Sequence, residues 1–170
     1  MTIDFKHFQN FWVNQQKNAK HMEDDKAWQH MEEFIKNHNT CGFATGYGTY
    51  VRATPIEYTY KDGCFWFVSE GGNKFKGLEK NKNVSLCIFE YYGDKGESHG
   101  LQVTGKATLY APQSKALKEL LEFKGIPYDK LKAAKVAVCT VKVTPKLFEM
   151  YDTDFVKMGY DVRQYHKVKR

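Results

Sequence analysis

An α+β fold, built on an antiparallel six-stranded β-barrel with short helices at its flanks, is the architecture this sequence predicts. Three observations carry the prediction. Aromatic residues make up 15% of the 170 residues, with 12 Phe and 11 Tyr, and such side chains suit a pleated, half-buried surface. Short apolar runs of strand length recur between Cys41 and Met150. Turn signals separate them, the strongest being Asp62-Gly63, the dipeptide of tight hairpins. Sequential strands joined by hairpins give an antiparallel sheet, and a barrel is the usual way such a sheet hides its edges.

The elements follow in order. Residues 3–20 carry Phe5, Phe8, Phe11 and Trp12 at helical spacing before a polar run, which predicts an amphipathic helix with an aromatic face. A stripe of this kind suits a docking surface better than a cofactor box. Asp24-Asp25 offer a cap for a second helix over 25–38, with Trp28, Met31, Phe34 and Ile35 on one side. Strands are expected at 41–46, 49–60 and 64–69, the last two forming a hairpin about Asp62-Gly63. Glu70-Gly71-Gly72 breaks the chain before a helix over 73–81, and Val84 to Phe89 forms the next strand. The polar loop Gly93 to Ser98 leads into a half-buried strand at Leu101-Gln102-Val103-Thr104. Pro112 opens a helix carrying Leu117, Leu120 and Leu121, which Gly125-Ile126-Pro127 ends. A helical piece over 128–134 precedes a last strand from Val136 to Met150. The tail 151–170 is polar and without period. The organisation is thus a single domain, with N-terminal helices over 1–38, a barrel over 40–150 and a tail that reads as solvated.

Composition narrows the function classes. No apolar window is long enough for a membrane-spanning helix. The N-terminus lacks the basic-then-apolar pattern of a secretory signal, so a cytoplasmic location is expected. Cys41, Cys64, Cys87 and Cys139 stand apart without metal-ligand or redox spacing and read as buried thiols. The net charge of +6 comes from lysines interleaved with acids, the pattern of solvated helix faces. No nucleic-acid signature accompanies it, and a basic balance equally suits a small phosphorylated ligand. No catalytic triad and no carboxylate pair suggests hydrolysis.

The stretch 50–83 holds the candidate site. A bound phosphate calls for cationic side chains, hydroxyl or N–H donors, and backbone that can approach closely. Arg52, Ser69, Gly71-Gly72 and Lys74 supply these in order. A lysine in the first turn of a helix also opposes the helix dipole unless an anion neutralises it. The plain alternative is that Lys74 is a surface lysine and that Arg52 pairs with Glu57 or Glu70.

The run from Cys41 to Phe89 resembles the pyridoxamine 5′-phosphate oxidase-like family, the FMN-binding split β-barrels. The resemblance lies in Arg52-Ala53-Thr54-Pro55, the hairpin into Phe65-Trp66-Phe67-Val68-Ser69, and Asn73-Lys74 opening a helix that leads to Val84-Ser85-Leu86. Gln102-Val103-Thr104-Gly105-Lys106-Ala107 extends it. It implies FMN as cofactor, with Arg52, Lys74 and Ser69 at the phosphate. Backbone groups of Ala53, Thr54 and Val68 would lie along the flavin and ribityl chain. It further implies a homodimer, with the region from His99 to Gln102 approaching the partner's flavin. The activity implied is redox exchange in which a reduced nicotinamide or another donor passes a hydride to the flavin, and the flavin reduces or oxidises a small substrate; a flavin or haem carrier or sensor without turnover is the alternative. Two departures stand out: Asn73 occupies a position where many members have Arg, and the tail Met158 to His166 lacks the arginine-rich segment that grips a substrate phosphate. Arg163 and His166 would form a substrate-side pair if the tail folds over the cleft, and a tail His could serve haem.

Overall fold

The computed structural model describes residues 2–91, 93, 96–133 and 138–169. In chain order it holds α1 (Phe5–Gln16), α2 (Asp24–Asn37), β1 (Thr40–Tyr47), β2 (Tyr50–Glu57), β3 (Thr59–Lys61) and β4 (Cys64–Ser69). Then come α3 (Lys74–Lys80), β5 (Asn83–Phe89), β6 (His99–Tyr110), α4 (Lys115–Phe123), α5 (Tyr128–Ala133) and β7 (Cys139–Asp152). A 3₁₀ turn (Thr153–Val156) and β8 (Arg163–Lys167) complete it. Asp94 and Lys95 of the expected polar loop, and residues 134–137 around the expected start of the last strand, lie outside the described residues.

All strand pairs are antiparallel, and the order β2-β1-β5-β6-β7-β4-β3 runs through one sheet. The sheet curls on itself. Phe43 of β1 and Phe67 of β4 come from distant places in that order, yet their rings stack at 4.9 Å and 6°. Around them Phe65, Leu86, Ile88, Leu101, Val103 and Val143 are fully buried, and α2 closes the core with Ala27, Met31, Phe34 and Ile35. The α+β split-barrel class read from the sequence is thus the observed one.

The strand count differs from six for two physical reasons. The expected strand 49–60 breaks at Tyr58, so β2 and β3 lie at opposite ends of the sheet order. Tyr58 is 4% exposed; its N–H donates to Asn39 O and its hydroxyl to Ile35 O, both at 2.7 Å. Those bonds pull the chain off the strand direction, a tertiary preference that local alternation does not encode. The hairpin about Asp62 and Gly63 therefore joins β3, not β2, to β4; both turn residues are left-handed, at φ 52° and 67°. We expect Tyr58→Phe to cost about 1 kcal/mol in urea unfolding, since it leaves a buried carbonyl at the end of α2 without its donor.

The second addition is β8. The tail is not a solvated end: β8 pairs with residues 147–151 of β7, on the edge where β4 pairs with residues 139–143. Gln164 locks it in place, accepting from Met22 N–H at 2.8 Å and donating to Asp161 O at 2.7 Å. Helix ends also moved. Glu23 is the N-terminal cap residue of α2 and Asp24-Asp25 occupy its first turn. Ser114, rather than the turn at Pro112, caps α4 by accepting from Leu117 N–H at 3.3 Å. Helix α4 covers a smaller apolar cluster of Leu117, Leu121 and Val138 against Val68.

Candidate functional site

β4 runs out at Ser69, and the chain there turns through Gly71 and Gly72 at φ 107° and 94°, a conformation that L side chains rarely adopt. Ser69 is 5% exposed, and its hydroxyl accepts the Gly71 N–H at 3.2 Å. The turn brings the Lys74 ammonium back to donate to Gly71 O at 2.5 Å. Lys74 is only 8% exposed although it opens α3. Tyr50 ties this loop to β2, its hydroxyl donating to Asn73 O at 2.7 Å. Arg52 shares the face of Tyr50, two positions along the strand.

The electrostatics follow from that packing. Burial holds the Lys74 ammonium below the usual lysine range; the Cys139 thiol opposes this and the Arg52 guanidinium adds to it. Glu57, the carboxylate that the sequence offered to Arg52, is paired with Lys124 at 2.9 Å instead. The Lys74 ammonium thus has the Gly71 carbonyl as its hydrogen-bond partner, with the Arg52 guanidinium near enough to disfavour its charge. The Cys139 thiol itself is pushed up by burial and lies 3.4 Å from Ser69 O.

Helix α3 is held down by a close approach. A Cβ on Gly77 would stand 2.9 Å from Gly46 N and 3.0 Å from the Thr45 side chain. Asn81 Nδ2 adds a bond to Gly46 O at 2.9 Å. The position of Lys74 is therefore set by how deeply α3 seats on β1.

The residues expected at a site divide into two groups. Ser69, Asn73 and Lys74 gather at the end of β4, with Arg52 exposed on β2 near enough to act on the Lys74 charge and Thr54 further along the inward face of β2. Thr54 Oγ1 is buried without a partner. Ala53 is exposed on the opposite face of β2. Val68 turns its side chain under α4, and its backbone is paired with Thr140 in the β4–β7 ladder. Gln102 lies elsewhere, on the outer face of β6.

Gln102 lines a separate cleft of about 530 Å³ with Trp12, His99, Tyr151, Arg163 and Tyr165. Arg163 lies over the Trp12 ring at 5.0 Å and the Tyr151 ring at 5.3 Å. The expected pairing of Arg163 with His166 does not form, because alternate residues of β8 point to opposite faces. His166 turns to α2, where it meets Asp24 Oδ1 at 2.9 Å and packs on Trp28 at 4.7 Å. Tyr50 and Trp12 were not singled out from the sequence as site residues. The signal for Tyr50 was its spacing of two from Arg52; for Trp12 it was the aromatic stripe.

At the rim of the cleft, His99 is ringed by carboxylates. Its Nδ1 is 2.7 Å from Glu90, and its Nε2 is 3.6 Å from Asp152 and 3.8 Å from Asp154. The Glu90 hydrogen bond, chiefly, holds the imidazole above its ordinary 6.5, with the Asp152 and Asp154 charges adding to it. A raised histidine favours the folded state fully below about 6.5, and that contribution fades as pH rises through the folded-state value. Thermal unfolding from about pH 6 to about pH 9 should thus show a falling melting temperature. The His99→Gln variant should lack that part of the slope; an unchanged slope would remove the assignment.

Among the described residues, no helix is long and apolar enough to cross a membrane. No curated protein is significantly similar to the chain. Solved structures share its fold. A protein of Clostridium acetobutylicum related to general stress protein 26, of the pyridoxine phosphate oxidase family, aligns at 16% identity and TM-score 0.60, covering 86% of this chain and 97% of its own. An FAD-binding protein of Mesorhizobium loti aligns at 14% identity and TM-score 0.57, covering 71% of this chain and 88% of its own. The haem storage protein HutZ of Vibrio cholerae aligns at 16% identity and TM-score 0.53, covering 69% of this chain and 89% of its own. The sequence model described as pyridoxamine 5′-phosphate oxidase matches residues 27–146, which takes in the barrel strands up to β7 and the whole Arg52, Ser69 and Lys74 constellation, so the chain belongs to the pyridoxamine 5′-phosphate oxidase family.

Proposed function

We propose that this protein is an FMN-dependent flavoprotein that exchanges a hydride between a reduced nicotinamide, or a similar donor, and a small substrate. The observation that carries the reading is Lys74, a residue only 8% exposed whose ammonium charge burial and the Arg52 guanidinium disfavour. A buried charge without a compensating one is costly, and a phosphate group relieves that cost while accepting from both cations. The donor set fits: Arg52 and Lys74 would hold the FMN phosphate and the Ser69 hydroxyl would reach it. Asn73 contributes no cation at the position where Arg is frequent, and its carbonyl is already taken by Tyr50.

When bound, the flavin supplies the redox chemistry; the protein binds and orients it and shields one face from water. No side chain at the cradle is needed as an acid or base for that role. Turnover of pyridoxamine phosphate finds no support in the tail, where among the described residues β8 offers one arginine, Arg163, to the cleft beside Tyr165.

Haem is the second reading, since one protein of similar fold is a haem storage protein. The histidines near the cleft favour flavin over it. Both nitrogens of His99 face carboxylates, and His166 is engaged by Asp24 on the other side of β8. Titration of the ligand-free protein with FMN, followed by flavin fluorescence, tests the reading. Saturable binding with a rise in melting temperature is expected. Bleaching by NADH or NADPH and recovery on adding an acceptor then separates an enzyme from a carrier. A strong Soret band on adding haem, with no response to FMN, would overturn it.

A further inference from the structure

The start of β6 and the end of β7 place one imidazole and two carboxylates around a small gap. His99 and Asp152 stand opposite each other across the β6–β7 ladder, and Asp154 follows in the 3₁₀ turn. His99 Nε2 lies 3.6 Å from Asp152 Oδ1 and 3.8 Å from Asp154 Oδ2, too far for hydrogen bonds. The Nε2 atom is nevertheless buried, and among the described residues it has no hydrogen-bond partner. Such an atom is rare in a native protein and calls for a water, an ion or a functional role.

The surroundings decide which ring atom faces the gap. Glu90 Oε2 is 2.7 Å from His99 Nδ1. An ionised carboxylate only accepts, so Nδ1 carries the proton and the neutral ring turns its Nε2 lone pair to the gap. Glu90 is itself held, with Oε1 3.2 Å from His38 Nε2, and His38 Nδ1 lies 2.7 Å from Phe34 O in the last turn of α2. The other carboxylates are fixed as well. Asp152 Oδ1 accepts the Asp154 N–H at 2.8 Å, and Asp154 Oδ1 accepts from the Lys157 ammonium at 2.6 Å. Asp154 Oδ2 is left for the gap. The turn is tied to β6 by Ser98 N–H, which donates to Thr153 Oγ1 at 3.1 Å. A carboxylate behind the imidazole, and hydrogen bonds behind each carboxylate, are the outer support that metal-ligating side chains ordinarily have.

Three acceptors that converge without a donor need a positive charge between them, either a proton on Nε2 or a metal ion. The spacing favours the ion. A proton on Nε2 would draw one carboxylate oxygen to about 2.8 Å, and neither comes that close. The ligand atoms all lie within 4.8 Å of one another. A tetrahedral ion with bonds of about 2.1 Å holds its ligands ~3.4 Å apart, a few tenths less than the two distances found. One imidazole with two carboxylates suits a borderline divalent ion such as Zn²⁺. Ca²⁺ and Mg²⁺ prefer oxygen alone, and Cu⁺ prefers sulfur. Asp154, 42% exposed, gives water access to the remaining position. We propose that His99, Asp152 and Asp154 form a divalent transition-metal site, with Zn²⁺ as its occupant and Glu90 as the positioning residue behind the imidazole. The ion pins the 3₁₀ turn and the end of β7 to the start of β6, at the rim of the cleft. It uses no residue of the proposed phosphate cradle and stands whether or not FMN binds.

Calorimetric titration of the chelator-treated full chain with Zn²⁺ tests it. One ion per chain is expected, and Zn²⁺ at ~100 times its Kd should raise the melting temperature by about 5–10 °C. Glu90→Gln keeps an acceptor for the Nδ1 proton but removes its charge, and should weaken binding ~10–100-fold. Asp154→Asn removes a ligand and should weaken binding at least as much. Its side chain is partly exposed, so the metal-free variant should keep its fold and decides the matter if Glu90→Gln does not fold. Co²⁺ bound in place of Zn²⁺ should show d–d absorption with no thiolate charge-transfer band, which separates this site from the four free cysteines. A wild type that binds no Zn²⁺ at about 100 μM overturns the proposal and leaves a proton in the gap. Unchanged affinity in either variant overturns it too, as does Co²⁺ held by thiolate. The FMN titration is read separately, so loss of either result leaves the other intact.

Discussion

Replacing Lys74 with Met should stabilise the ligand-free protein and weaken FMN binding at the same time. Met keeps most of the stem volume that packs at 8% exposure and removes a charge that burial and the Arg52 guanidinium disfavour. The gain in the empty protein should be about 1 kcal/mol, or ~2–4 °C in melting temperature for a chain of this size. The loss in affinity should be larger, because a charge-assisted bond to phosphate is worth about 1.5–3 kcal/mol, or roughly 10–150-fold. Arg52→Ala should weaken binding in the same range with little effect on the empty protein, since Arg52 is exposed on β2. The opposite signs for Lys74 are the diagnostic. If Lys74→Met lowers the melting temperature and leaves FMN affinity unchanged, the lysine serves only to brace the glycine turn through Gly71 O. The phosphate assignment would then fall.

Gly77→Ala should cost about 1–3 kcal/mol and weaken FMN binding as well. The added Cβ would meet Gly46 N at 2.9 Å and the Thr45 side chain at 3.0 Å, and backbone cannot give way as a flexible side chain can. Helix α3 must lift from β1, and Lys74 at its start moves with it. Gly105→Ala is the control. Its Cβ would stand 2.7 Å from Val143 Cγ1 and 2.9 Å from Thr144 O, at the register shift where β6 meets β7. It should destabilise by a similar amount while sparing FMN affinity in whatever protein remains folded. Urea unfolding and flavin titration on both variants separate the two effects. Equal affinity losses would mean that Gly77 acts through global stability rather than through the seat of α3.

The proposed phosphate cradle was legible in the sequence to the extent that its residues sit within one short stretch. Ser69, Gly71, Gly72 and Lys74 are sequential neighbours, so a strand end, a glycine turn and a helix start suffice to assemble them. Arg52 was legible for a different reason than the one first apparent. It was placed on the hairpin partner of β4, but β2 lies at the far end of the sheet order. Curling of the sheet, and the bond from Tyr50 to Asn73 O, bring β2 back to the glycine turn. The cleft was less legible. Its walls come from α1, β5, β6, β7 and β8, and no local pattern relates residue 12 to residue 163.

Periodicity and turn chemistry by themselves determined the α+β class, the tight turn at Asp62-Gly63 and most strands, because those depend on neighbours two to four positions apart. They also located the lysine whose position at a helix start is awkward. Only the tertiary structure decided the break at Tyr58, the addition of β8 and the burial of Lys74. Each of these depends on a partner far along the chain: Ile35 and Asn39 for Tyr58, Met22 and β7 for β8, and Thr45 and Gly46 of β1, on which α3 seats, for Lys74. The same reason explains α1, whose aromatic stripe was plain in the sequence. That the stripe finds no cover among the described residues is a fact about the whole surface.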